Sequence, residues 1–241
     1  MTMLTSKKHK LRGANPAQDV PSPLVMTIGH STRTLVEFIQ VLQVHGVTCV
    51  VDVRTVPRSR HNPQFNKTSL PRSLQKAGLE YVHLPILGGL RHAQRESPNA
   101  GWRNASFRGY ADYMQTPEFA LGIEELMRLA HHGHIAVMCA EAVPWRCHRS
   151  LIADALLVRG IRTEDIMSSI RRQIHLLTPF AKVRGITITY PDETPRKTPK
   201  KLVAKRPRLQ PTGKTRSTTS MVSTRGGGSV SDKLSRHGTM V

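Results

Sequence analysis

Four short apolar runs recur along the chain: LVMTIG (24–29), VTCVVDVR (47–54), LEYVHLP (79–85) and HIAVMC (134–139). Runs of this length, bounded by Gly, Pro or polar clusters, read as strands buried on both faces. The segments between them carry helical periodicity. Thr34 is placed to cap a helix that puts Leu35, Phe38, Ile39 and Leu42 on one face and stops at Gly46. SLPRSLQKAG (69–78) reads as a helix closed by Gly78, and YADYMQ (110–115) as another. PEFALGIEELMRLAHHG (117–133) follows with Pro117 in its first turn, then SLIADALLVRG (150–160) ending at Gly160. ITITYPDE (186–193) reads as one more strand, and the segment before it gives no clear pattern. Strands alternating with helices predict βαβ units. The expected fold is α/β, a mostly parallel sheet with helices on both faces in a Rossmann-like three-layer sandwich.

The charge of the chain is uneven. Its formal net charge is +20 over 241 residues. From Glu193 onward, twelve Lys and Arg stand against two acids, and the first 24 residues hold four against one. The Pro/Lys/Arg-rich and then Ser/Thr/Gly-rich end, with the Lys-rich start, predicts disordered basic tails at 1–23 and 193–241 around one α/β domain at 24–192. Basic tails attract polyanions by counterion release, so nucleic acid is a candidate partner through them. Three cysteines make no disulfide framework, and no apolar run approaches the ~20 residues of a membrane helix. The N-terminus shows no signal-peptide pattern. The expectation is a cytoplasmic protein without a membrane partner; the oligomeric state is not set by the sequence.

In an open parallel sheet, ligands bind beyond the carboxyl ends of the strands. Those ends read Gly29-His30-Ser31, Asp52-Val53-Arg54, His83-Leu84-Pro85 and Cys139-Ala140-Glu141. Cys139, between an apolar strand and a helix, is the candidate nucleophile, its thiolate favoured by Arg146, Arg149 and the helix start. Cys147 is placed to resolve an oxidised or persulfidated Cys139, or to ligate a metal. Glu141 or His148 would move protons. Cys139, Cys147 and His148 form a C-x7-C-H spacing, with Glu141 and His30 as further candidate ligands. The C-x2-C knuckle of structural zinc sites is absent, so no metal site is assigned and no cofactor is expected. Asp52 and Arg54 would build the opposite wall. Arg58, Arg60, Asn62 and Asn66 follow in a loop suited to an oxyanion or phosphate. His30 is open to two readings, a general base or a hydrogen-bonded structural histidine. The long segment 87–109 interleaves Trp102 and Phe107 with Arg103 and Arg108 up to Tyr110. It reads either as a surface that stacks a base or sugar or as a packed lid.

TIGHST (27–32), VVDVRTVPRSRHNPQFN (50–66), YVHLPILGG (81–89), FRGYADYM (107–114) and MCAEAVPWRCHRSLIADAL (138–156) together resemble the DUF488 family of bacterial proteins, over about Leu24 to Ile161. That family has no assigned function. The resemblance implies that these blocks, the Cys-Ala-Glu and Cys-His-Arg pieces above all, form the site. VVDVR, the strand-end cysteine and Arg149-Ser150 are also loosely similar to rhodanese-type sulfurtransferases and their cysteine-phosphatase relatives. Here, however, Cys139 is followed by C-x6-R and C-x9-R spacings instead of a compact C-x4-R or C-x5-R cradle. The resulting expectation is a cysteine-dependent enzyme, a sulfurtransferase, thiol-redox enzyme or hydrolase. It would hold an anionic sulfur- or phosphate-containing small molecule at the Cys139/Arg149 loop. The alternative is a non-catalytic nucleic-acid-binding module that uses the basic tails and the aromatic/Arg loop.

Overall fold

The computed structural model of the chain describes residues 23–193, so the two tails lie outside the described residues except at their inner ends. Strand β1 (Leu24–Gly29) leads into helix α1 (Leu35–Val44), where Thr34 and Glu37 form a reciprocal capping box. Strand β2 (Cys49–Asp52), helix α2 (Leu70–Lys76) and strand β3 (Glu80–His83) follow. Helices α3 (Ala105–Tyr113) and α4 (Pro117–His132) come next, then strand β4 (Ile135–Cys139) and helix α5 (Arg149–Leu157). Gly46, Gly78 and Gly160, the expected helix stops, all adopt positive φ.

Five strands run parallel in the order β3-β2-β4-β1, continuing to β5 (Arg162–Ser168), and β6 (Arg171–Ile174) closes one edge antiparallel to β5. The fold is therefore the expected α/β sandwich. Alternation along each strand sorts the core into two layers. Val25, Val51 and Val137 pack against Tyr110, Phe119, Ile123, Leu126 and Leu151 of α3, α4 and α5. Met26, Ile28, Val50, Ala136 and Met138 pack against Phe38 and Leu42 of α1 and Leu70 and Leu74 of α2. The chain leaves β1 for the β2 side and leaves β4 for the β5 side. The strand order thus reverses between β1 and β4, and a crevice opens there at the carboxyl ends.

Three local expectations change. The helix expected at 110–115 begins at Ala105, because Asn104 caps it by accepting from the amides of Ser106 and Phe107. Gly109 then lies inside α3, where a Cβ would meet the 91–93 backbone at 2.6 Å. The strand read in 186–193 is β8 (Thr187–Thr189), which pairs with β7 (Lys182–Arg184) in a separate two-stranded sheet. The main sheet is instead completed by β5, whose buried positions include Thr163, Glu164 and Asp165. These polar groups are matched: Thr27 donates to Asp165 at 2.6 Å, and Glu164 pairs with Arg162 and Arg172. Beside them, buried Asp154 accepts from His175 and from the Tyr190 hydroxyl, each at 2.8 Å.

Candidate functional site

The crevice between β1 and β4 is a cleft of about 740 Å³. Backbone pairing continues past the end of β1, where the His30 and Ser31 amides donate to the carbonyls of Cys139 and Ala140 at 2.9 Å. Of the residues expected at the site, His30, Arg54, Arg58, Asn62, Cys139, Glu141, Arg146, Cys147 and His148 line this cleft. Arg60 is exposed and does not line it, and Asp52 and Arg149 lie beneath its surface.

One wall is a closed polar network. Arg54 clasps both oxygens of Asp52, with Nε to Oδ1 at 2.9 Å and Nη2 to Oδ2 at 2.6 Å. Nη2 also donates to the Phe65 carbonyl at 2.7 Å, and Nη1 to His30 Nε2 at 3.1 Å. Tyr81 donates to Asp52, and His83 Nε2 donates to the Arg54 carbonyl at 3.0 Å. Asp52 is fully buried and Arg54 nearly so. Their role is to build the wall and hold His30. The His30 ring stacks on Phe65 at 4.2 Å and donates Nδ1–H to the Ser31 carbonyl. Burial, followed by the Arg54 charge, outweighs that bond and lowers the His30 pKa to about 4. Neutral, with both nitrogens engaged, His30 answers to the structural one of its two readings.

The floor is made by the strand–turn–helix MCAEAVPWRCHRS. Cys139 sits on the face of β4 that looks toward α5, and Pro144–Arg146 form a single 3-10 turn that returns the chain to the helix start. The Cys139 and Cys147 sulfurs and a His148 ring nitrogen lie within 4.8 Å of one another. Cys147 Sγ is 3.6 Å from His148 Nδ1 and accepts from Arg149 Nε at 3.4 Å. Arg149 Nη2 donates to the Glu141 carbonyl at 2.7 Å, so this guanidinium ties both ends of the turn together. It is 1% exposed and pairs with no carboxylate among the described residues.

Two expectations are corrected here. Arg149, expected to hold a substrate anion, faces inward to the sulfur and the turn. Of the arginines that line the cleft, Arg58 and Arg146 are exposed, whereas Arg54 is paired with Asp52. The lowered thiol is also not Cys139. Donation by the Cys139 thiol, with His148 and Arg149 beside it, pulls Cys147 well below the usual range, and the same hydrogen bond pushes Cys139 well above it. Glu141 is exposed and caps its own turn through the Val143 amide at 3.2 Å. Trp102 turns inward against Phe107, Phe180 and Tyr190, with centroids 4.7, 4.9 and 5.5 Å away, while Phe107 also lines the cleft.

The sequence reading missed Phe65 and Tyr81, which support the His30–Asp52–Arg54 wall, and Arg33, whose guanidinium donates to the carbonyls of Gly29 and Met167. Only an arginine a few residues past a strand end hinted at the last.

No curated protein and no solved structure matches the chain. Among the described residues no helix is long and apolar enough to cross a membrane. One family does match: the Domain of unknown function DUF488, over residues 34–156, which takes in β2, β3, β4 and the whole 138–156 stretch but begins after TIGHST. The likeness to rhodanese-type sulfurtransferases has no counterpart among the matches, and the chain belongs to the DUF488 family.

Proposed function

We propose that this chain is a cysteine-dependent enzyme that carries out thiol exchange on an anionic, sulfur-containing small molecule. The observation that carries this reading is the pair of thiols on the cleft floor, both lining the cleft within 4.8 Å of each other. A phosphate cradle fits less well. The amides of Val143, Arg146 and Cys147 are engaged within the turn, with Glu141 Oε1, the Val143 carbonyl and the Pro144 carbonyl. Arg149 is engaged as well, through Nε and Nη2, which leaves fewer of the convergent donors a phosphate needs.

The exchange uses the two thiols in sequence. Cys139 gives its proton to the neighbouring Cys147 thiolate and attacks one sulfur of a substrate S–S bond. The other half leaves as a thiolate and takes that proton from Cys147. Cys147 then attacks Cys139 Sγ, the first half leaves as a second thiolate, and a Cys139–Cys147 disulfide remains. Two electrons pass from the pair to the substrate, and an external thiol returns them. Arg58 and Arg146, at the mouth, attract the substrate's charge.

The test uses reduced, chelator-treated protein with oxidised glutathione as the anionic disulfide and hydroxyethyl disulfide as a neutral one. Cys147→Ser is expected to accumulate a mixed disulfide on Cys139, and Cys139→Ser to form none. Arg58→Ala and Arg146→Ala are expected to raise KM for the anionic disulfide alone. Reactivity no greater than that of buried Cys49, or equal loss with both disulfides, overturns the reading.

A further inference from the structure

We propose that Cys139, Cys147 and His148 form an open site for a thiophilic d10 cation, Zn2+, with its fourth coordination position facing the cleft. This inference stands on geometry alone and does not depend on the thiol exchange proposed above.

Two sulfurs and one imidazole nitrogen are the donor set that zinc favours, with bonds of about 2.3 Å to sulfur and about 2.0 Å to nitrogen. A tetrahedral ion then needs its ligands roughly 3.5–3.8 Å apart. Cys147 Sγ and His148 Nδ1 already stand 3.6 Å apart, and all three ligand atoms lie within 4.8 Å of one another. The set closes onto an ion by side-chain rotation at Cys139, which ends β4 at the cleft.

The supports around the ligands are fixed. Arg149 Nε–H points at Cys147 Sγ from the buried side, the kind of outer hydrogen bond that orients a ligating thiolate. The His148 ring is held between Tyr110, 5.0 Å away, and Gly89, where a Cβ would fall 2.6 Å from Nδ1. Gly89 is therefore the residue that leaves the ring room to sit against Cys147.

Charge agrees with geometry. Arg149 is buried with no carboxylate beside it among the described residues, and its Nε–H is directed at Cys147 Sγ. With Zn2+ and two thiolates the coordination sphere is neutral, and Arg149 leaves one positive charge. Because all three ligands line the cleft, an anion entering it has access to the fourth position. Glu141 and His30, the other candidate ligands from the sequence, stay out of the cluster, His30 because Ser31 and Arg54 engage both its nitrogens.

The test titrates Zn2+ into the reduced, chelator-treated full chain and reads stoichiometry by native mass, with Co2+ as the spectroscopic probe. The expected result is one Zn2+ per chain and, with Co2+, a sulfur-to-cobalt charge-transfer band. Cys139→Ser and His148→Gln are each expected to weaken binding at least about 10-fold, while Cys49→Ser leaves it unchanged. Because Cys139 and His148 are only partly buried, their variants report on binding even if a change at Cys147 unfolds the chain. No charge-transfer band, or Cys139→Ser binding like the wild type, overturns the site. The disulfide assay above runs without metal, so the two readings fail separately.

Discussion

His30 donates Nδ1–H to the Ser31 carbonyl and accepts Arg54 at Nε2, so a second proton would face a guanidinium in a buried place. Its folded pKa of about 4 lies below the usual 6.5. The unfolded chain binds that proton first, so the stability contributed by neutral His30 is complete above about pH 6.5 and is lost as pH falls toward 4. His175 works in the opposite sense. Burial alone would lower it, but its hydrogen bond to Asp154 and the nearby Asp165 carboxylate raise it to about 9. Its contribution is complete below about 6.5 and is lost as pH rises through 9. Each effect is on the order of 3 kcal/mol before solvent screening. Stability is therefore expected to peak near pH 6.5. Melting temperatures across pH 4–10 check this: His175→Gln should flatten the alkaline limb only, and His30→Gln the acid limb only. A single pH profile shared by both variants and the wild type would contradict the assignment.

At the scale of elements, α3 and α5 make predictions opposite to those of their propensities or charges. Gly→Ala inside a helix ordinarily stabilises by up to about 1 kcal/mol. Gly109→Ala is expected to destabilise instead, because the added methyl meets the 91–93 backbone that crosses α3. Urea unfolding gives the sign. At the start of α5, Arg149→Ala removes the tie between Cys147 and Glu141, with an expected loss on the order of 3 kcal/mol. Arg149→Lys restores charge but reaches only one of the two partners, so it should recover part of that. A cost near zero for Arg149→Ala would place the side chain at the surface. These cases also mark what the sequence makes legible. β1, β2 and β4 announce themselves because their buried positions are mainly apolar, and the edge strand β3, with no fully buried position, is marked by its short run between Gly78 and Pro85. β5 does not, because Thr163, Glu164 and Asp165 are buried against partners as remote as Thr27. In the same way, the meeting of Cys139, Cys147 and His148 follows from one strand–turn–helix stretch. The inward aim of Arg149 depends on a carbonyl eight residues back, which no spacing rule reveals.

For the whole molecule, the candidate site and most of the net positive charge lie in different parts of the chain. The site residues all fall within residues 23–193, and Trp102 packs inward against Phe107 and Phe180. Charge is the ground for a nucleic-acid partner, and much of it lies in residues 194–241, where twelve Lys and Arg face one acid, Asp232, of a chain at +20. Truncation after Glu193 is therefore expected to weaken binding to DNA or RNA. The slope of log K against log salt should fall by about 0.9 for each duplex phosphate that the tail had neutralised. Disulfide exchange and zinc binding should stay as in the full chain, because none of their residues is removed. Fluorescence anisotropy at several salt concentrations measures the first effect, and the two site assays measure the second. If the truncated protein kept its affinity and salt slope, the polyanion surface would have to lie on the domain. Arg58 and Arg146 at the cleft mouth would then be the first residues to substitute.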